Sequence, residues 1–254
     1  LPSAAIKTAL VIKRLFSASS LIETFCFRQF FAQLISCNQS PKVPVLWLYY
    51  CQLENRQKIR RFFMPTLLYL HGFNSSPKSK KAQQTQCWFE QNAPEVEFVC
   101  PSLPPYADAA ISLLEKLIDE RLPDSVYLIG SSMGGFYATC LVEKYSLNAV
   151  VVNPAVSPDR GLRNWLGENS NYHTGEKWLF EPRHIDEYRR LDSPEIKHKN
   201  NYLVLLQRGD EVLDYRDAQQ RYSGCKIILE SGGDHSFIDY DQHLKNIHQF
   251  LVSA

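Results

Sequence analysis

Along residues 66–230 short apolar runs alternate with polar, turn-forming stretches, and six of the runs share one character. TLLYL (66–70), VEFVC (96–100), SVYLIG (125–130), NAVVVN (148–153), YLVLL (202–206) and KIILE (226–230) are short, rich in branched or aromatic side chains, and bounded by turn formers. Such runs predict strands, several of them buried on both faces. Elsewhere the period changes: Ile111, Leu114, Ile118 and Leu122 recur at helical spacing, as do Tyr240, Leu244, Ile247 and Leu251. Buried strands separated by amphipathic helices predict an α/β domain, a mostly parallel six-stranded sheet with helices on both faces.

One interval breaks this rhythm. Between the fourth and fifth strands, Pro154 to Asn201 is dense in charge and carries Trp165, Trp178 and Phe180. A structureless loop of that length is uncommon inside a compact domain, so a helical insertion is expected over about 155–200. Attached after a strand's C-terminal end, it would overhang the sheet as a cap.

The formal net charge of +1 gives no electrostatic reason to expect nucleic acid as a partner, but it conceals a division. Residues 1–63 carry nine basic against two acidic side chains, leaving 19 against 25 for 64–254. Every glycine and histidine lies at or beyond position 71, and no aspartate precedes Asp108. A folded segment of this kind uses Gly or Asp in its turns, so 1–63 is expected to be a leader outside the fold, with the domain spanning 64–254. The leader's acid-poor composition fits a transit peptide. Its charges interrupt every apolar run short of a spanning helix, which argues against membrane insertion. Translation from upstream of the true start is the preferred account, because Met64 stands just ahead of TLLYLHGF, with only Pro65 between. The seven cysteines form no C-x-x-C pair and no regular spacing, so neither a zinc knuckle nor a disulfide framework is indicated, and a reducing, cytoplasmic setting fits.

Ligand sites of open α/β sheets gather at the C-terminal strand ends. The first strand runs into His71-Gly72-Phe73-Asn74, the third into Gly130-Ser131-Ser132-Met133-Gly134-Gly135, the fifth into Gln207-Arg208-Gly209-Asp210, and the sixth into Ser231-Gly232-Gly233-Asp234-His235. Alone, the G-x-S-x-G match is weak and arises by chance in about one chain in ten at this length. Its setting is specific: a strand precedes it, a helical pattern follows, and Asp and His come after later strands in the chain order of an α/β-hydrolase. Ser132 is then the expected nucleophile, His235 its base, and Asp210 the acid that orients the imidazole, with Asp214 as competitor. The backbone N–H groups of Met133 and Phe73 are the expected oxyanion donors. His71 is expected to shape the oxyanion loop. Tyr106, Trp165 and Phe180 are expected in an apolar acyl pocket, with Phe73, Pro104 and Pro105 as further candidates. No H-E-x-x-H, clustered His/Cys ligands, Walker lysine or G-x-G-x-x-G is present, so no metal or other cofactor is expected.

MPTLLYLHGFNSSPKSKKA, CPSLPPY, IGSSMGGFYAT, VVVNPAV, the YHTGE and RHI segments, RGDEVLDYR and ESGGDHSF together resemble the YqiA-like bacterial esterases of the α/β-hydrolase superfamily. The resemblance covers nearly all of 64–252 and none of 1–63. It implies a cytoplasmic carboxylesterase acting on short-chain acyl esters and acyl-CoA thioesters, with Ser132, Asp210 and His235 matching the family's triad. An acyl-CoA thioesterase or acyltransferase on the same fold is the alternative reading. A noncatalytic module cradling a phosphate at the helix after Ser132 is a further one. A chain beginning at Met64 is expected to fold and to keep full esterase activity, measured by thermal unfolding and p-nitrophenyl ester hydrolysis; loss of either would make the leader part of the functional protein.

Overall fold

A computed structural model describes residues 64–122, 125–171, 175–193 and 195–253. The leader expected over 1–63 lies outside the described residues, as do the first three residues of the YHTGE segment.

All six apolar runs form strands of one sheet. They are β1 (Thr66–Leu70), β2 (Glu97–Val99), β3 (Val126–Ser131), β4 (Asn148–Val152), β7 (Tyr202–Gln207) and β8 (Lys226–Glu230), in the spatial order β2-β1-β3-β4-β7-β8 with every pairing parallel. Parallel strands require crossovers, and helices supply four of them: α1 (Lys80–Asn92), α2 (Ala107–Asp119), α3 (Met133–Tyr145) and α5 (Tyr215–Arg221), while α6 (Leu244–Ser253) follows the last strand and packs back onto the sheet. The alternation of side chains across each strand divides the core into two layers. Leu68 and Leu70 of β1, Leu128 of β3, Val151 of β4 and Val204 and Leu206 of β7 meet α2, α3 and α5 on one face. Leu67, Tyr69, Ile129, Val150, Leu203 and Leu205 meet Phe89 of α1 and Leu244, Ile247 and Leu251 of α6 on the other. The four central strands are therefore apolar at nearly every position, as their sequence runs require. Leu122, read as a helical position, falls beyond the end of α2 and is exposed.

Chain order moves outward from β1 to β2 and then reverses through β3 to β8, so the switch point lies between β1 and β3. A crevice opens there at the C-terminal strand ends.

The insertion differs from the helical expectation. It contains two 3₁₀ turns (Pro158–Arg160 and Leu162–Trp165), an antiparallel hairpin of β5 (Gly167–Ser170) and β6 (Lys177–Phe180), and one helix, α4 (Pro182–Leu191). The cause is a period of two in Lys177-Trp178-Leu179-Phe180: Lys177 and Leu179 are exposed while Trp178 and Phe180 turn inward together, whereas a helix would point these two aromatics to opposite sides. Pro182 then opens α4 at a position where no backbone N–H is needed. Among the described residues no helix is long and apolar enough to cross a membrane. Burial pushes the Cys100 and Cys140 thiols up to about 12, consistent with packing rather than reactivity.

Leu205, fully buried at the centre of the sheet, gives a direct measure of that core. Leu205→Ala should lower unfolding stability by about 2–5 kcal/mol in urea titration. A loss below about 1 kcal/mol would mean that this layer is not close-packed.

Candidate functional site

The crevice is organised by one sharp turn. Ser132 joins β3 to α3 with φ 55° and ψ −118°, a conformation strained for any residue with a Cβ. Close packing on both sides holds it there. A Cβ at Gly130 would overlap the Gly134 carbonyl, and one at Gly134 would overlap the Leu70 carbonyl at the end of β1. Glycine at these two positions lets the first turn of α3 press against its own strand, β3, and against the end of β1. The backbone pins the turn further: Ser132 N–H donates to Val152 O (3.0 Å), and Ser132 O accepts from Gly135 N–H and Ala155 N–H (both 2.9 Å). The hydroxyl is thereby presented at the rim.

Two other strand ends bring their side chains to it. His235 Nε2 lies 3.1 Å from Ser132 Oγ, and its Nδ1 lies 3.0 and 2.9 Å from the two carboxylate oxygens of Asp210. The Asp210 side chain is only 2% exposed, and its Oδ1 also accepts from Val212 N–H (2.9 Å) and Leu213 N–H (2.8 Å). Burial raises its carboxyl, but the hydrogen bond and electrostatic influence of His235 together with the two amides outweigh burial and hold it below the ordinary carboxylate range. An ionised Asp210 only accepts, so Nδ1 carries the proton and Nε2 of the neutral ring is free to accept from Ser132. Asp214, the competing acid, instead caps α5 by accepting from Arg216 N–H (2.9 Å) and pairs with the Arg216 guanidinium.

The loop carrying His235 is held by two buried amides that the sequence reading assigned no role. Gln207, at the end of β7, accepts from Asp234 N–H (3.2 Å) and Ile238 N–H (2.9 Å) and donates to Ile238 O (2.9 Å) and Glu230 (2.8 Å). Its amide is fully used. Asn153, at the end of β4 with φ 39°, accepts from Gln207 N–H (3.0 Å) and donates to Asp234 O (3.1 Å). Glu211 accepts from His235 N–H (3.0 Å), and the Lys81 ammonium donates to Ser236 O (2.7 Å). Burial pulls Lys81 down to about 8 despite the opposing influence of Asp234 and Asp210. The signal available in sequence was an amide closing each of two strongly apolar strands.

The expected oxyanion donors lie on either side of Ser132. Met133 is the first residue of α3, where backbone N–H groups have no intrahelical acceptor. Gly72 passes so near that a Cβ on it would lie 3.4 Å from Ser132 Cβ, which brings the following residue, Phe73, to the same rim. Buried His71 fixes that loop: its Nε2 accepts from Leu103 N–H (3.0 Å), so Nδ1 bears the proton and donates to Gly72 O (2.9 Å).

A cavity of about 1100 Å³ opens over Ser132 and His235. Phe73, Met133, Leu162 and Trp165 line one side, whereas Tyr106 and Phe180, expected in the pocket, do not line it. Phe180 is 1% exposed, packed edge-on behind Phe73 with ring centroids 6.1 Å apart, and the Tyr106 and His184 ring centroids lie 4.3 Å apart. Both aromatics support the wall from behind. Among the described residues no group of three or more His, Cys, Asp or Glu side chains is gathered as metal ligands would be.

Solved structures with this architecture include the esterase Est1E from Butyrivibrio proteoclasticus (14% identity, 77% of this chain and 90% of that one, TM-score 0.59) and mouse alpha/beta hydrolase domain-containing protein 10 (14% identity, 74% and 90%, TM-score 0.61). They establish the α/β-hydrolase fold. In sequence, the UPF0227 protein of Serratia proteamaculans is 26% identical over 188 residues, covering 72% of this chain and 97% of the relative. A UPF0227 protein of Yersinia pseudotuberculosis is 27% identical over the same length and coverage. The profile described as Uncharacterised protein family (UPF0227) matches residues 66–252, and the chain belongs to that family.

Proposed function

We propose that the chain is a serine carboxylesterase that hydrolyses short- to medium-chain acyl esters through an acyl-enzyme on Ser132. The single observation that carries this reading is the continuous path of hydrogen bonds from Ser132 Oγ through His235 to a buried, ionised Asp210. As Ser132 Oγ bonds to the acyl carbon, its proton passes to His235 Nε2, and Asp210 stabilises the imidazolium that forms. The carbonyl oxygen becomes an oxyanion accepting from the N–H groups of Met133 and Phe73; one such donor typically accounts for about 3 kcal/mol of barrier. Collapse breaks the bond to the leaving alcohol, which takes the proton from Nε2. Water then attacks the acyl carbon, gives a proton to His235, and the second collapse returns it to Ser132 Oγ as the acid departs.

The lining favours uncharged esters over acyl-CoA thioesters. Six carboxylate side chains face the cavity against Lys80, Lys81 and Arg160, an unfavourable field for a polyphosphate leaving group. A hydrolysis panel of p-nitrophenyl esters and acyl-CoAs of matched chain length decides between them: higher kcat/KM on the esters is expected, and the reverse would make the chain a thioesterase.

Ser132→Ala and His235→Ala should each lower kcat by about a millionfold, and the double variant by little more, because residues acting as one unit are not additive. A fluorophosphonate probe should label the wild-type protein and not Ser132→Ala; labelling that persists would remove Ser132 as nucleophile. Asp210→Asn should be severe and Asp214→Asn mild. The depressed Asp210 carboxyl also predicts a pH effect. Its contribution to stability is present above the unfolded carboxylate range and is lost as pH falls through the folded value, so Asp210→Asn should flatten the acid limb of a plot of unfolding midpoint against pH. An acid limb identical to wild type would contradict the pairing.

A further inference from the structure

The loop that presents Phe73 is fastened to the insertion more extensively than packing of a cover requires. Asn74 Nδ2 donates to Ser170 O at the end of β5 (2.7 Å), and Asn171 Nδ2, one residue on, donates back to Ser75 O (3.0 Å). The Phe73 ring is held edge-on by Trp165 (5.3 Å), Trp178 (5.4 Å) and Phe180 (6.1 Å), all from the insertion. Within this clasp the loop carries two costs. Asn74 has φ 56°, and its Oδ1 is buried with no donor among the described residues. A loop free to relax would shed both, so the surrounding contacts must hold it.

We infer that the β5–β6 hairpin is a positioning element of the oxyanion hole, with Asn171 and Trp178 as positioning residues that set the Phe73 N–H through Ser75 and the Phe73 ring. The inference rests on the esterase reading and assigns the insertion a role in the chemical step rather than in substrate capture. Neither Asn171 nor Trp178 lines the cavity, so neither contacts an acyl chain bound there. A displacement of Phe73 N–H by a few tenths of an ångström weakens its bond to the tetrahedral oxyanion and leaves ground-state binding nearly unchanged.

The test compares full-chain Asn171→Ala, Asn171→Asp and Trp178→Phe with wild type on a p-nitrophenyl ester and on an alkyl trifluoromethyl ketone. The ketone becomes a tetrahedral oxyanion when a nucleophilic serine adds to it. Asn171→Ala should lower kcat by about 10- to 100-fold, bounded by the total loss of one donor. KM should stay within about twofold, and ketone affinity should fall in step with kcat/KM. Asn171→Asp keeps the shape but replaces the donor with an acceptor facing Ser75 O, so it should be at least as harmful as Ala; a space-filling role predicts near-wild-type activity for it. Trp178→Phe, which keeps a ring and shortens its reach, should give a smaller loss with the same signature and probes the clasp at a second point. Unchanged kcat and ketone affinity in all three variants, or a raised KM with intact kcat, would overturn the inference. In that case fluorophosphonate labelling that depends on Ser132 leaves the esterase reading standing, whereas labelling independent of Ser132 removes both.

Discussion

The close approach of α3 to β1 at Gly134 is the constraint from which the site follows. Because no side chain fits between that helix and the Leu70 carbonyl, the chain leaves β3 through a left-handed residue rather than a relaxed loop. The residue in that position is Ser132, and in the proposed reaction a hydroxyl on a turn that cannot relax needs no reorganisation. The cost is conformational, on the order of 1–3 kcal/mol for a non-glycine residue at such an angle. It is offset by the two-layered core that fixes both strands, where β3 and β4 are almost wholly buried.

The partner imidazole is held differently. Buried amides from two neighbouring strands, Asn153 and Gln207, bind the backbone of the His235 loop, and the close approach of Gly209 to Gly233 adds to their hold. A buried amide left half-satisfied would be costly, which makes Gln207 selective: four bonds form together only when residues 234–238 take one path. Ser132 and His235 are thus positioned by different balances of forces, steric exclusion foremost for one and polar satisfaction foremost for the other, and both originate in strands rather than in loops. That origin explains how side chains separated by 103 positions in the chain stand 3.1 Å apart.

This difference also decides what could be read from sequence. All six sheet strands were legible because strands buried on both faces spell continuous apolar runs, and glycine is the visible trace of a steric constraint, so Ser132 announced itself between Gly130 and Gly134. Polar satisfaction leaves no periodic trace. Asn153 and Gln207 are single amides, marked in the sequence only by closing an apolar strand, and their roles depend on what they face in three dimensions. The hairpin of the insertion was missed because its strands are four residues each, too short for alternation to stand out among charges. Phe180 and Tyr106 were misplaced for a related reason: an aromatic side chain reads alike whether it faces a ligand or braces the ring that does.

That the insertion is a hairpin rather than a helix has a chemical consequence. In a helix interior every carbonyl is taken by the amide four residues on, so such a segment offers neighbours only its side chains. A two-stranded ribbon leaves half of its carbonyls unpaired along each edge, and Ser170 O is one of these, accepting from Asn74. The same ribbon alternates its faces, which lets Trp178 and Phe180 press on Phe73 while Leu179 and Lys177 face outward. A helix could supply the rings, but it could not also supply the acceptor within hydrogen-bond reach of the same loop. The secondary structure that was hardest to read in the chain is therefore the one suited to fasten a backbone donor, because only an edge strand combines a free carbonyl with an aromatic face over so few residues.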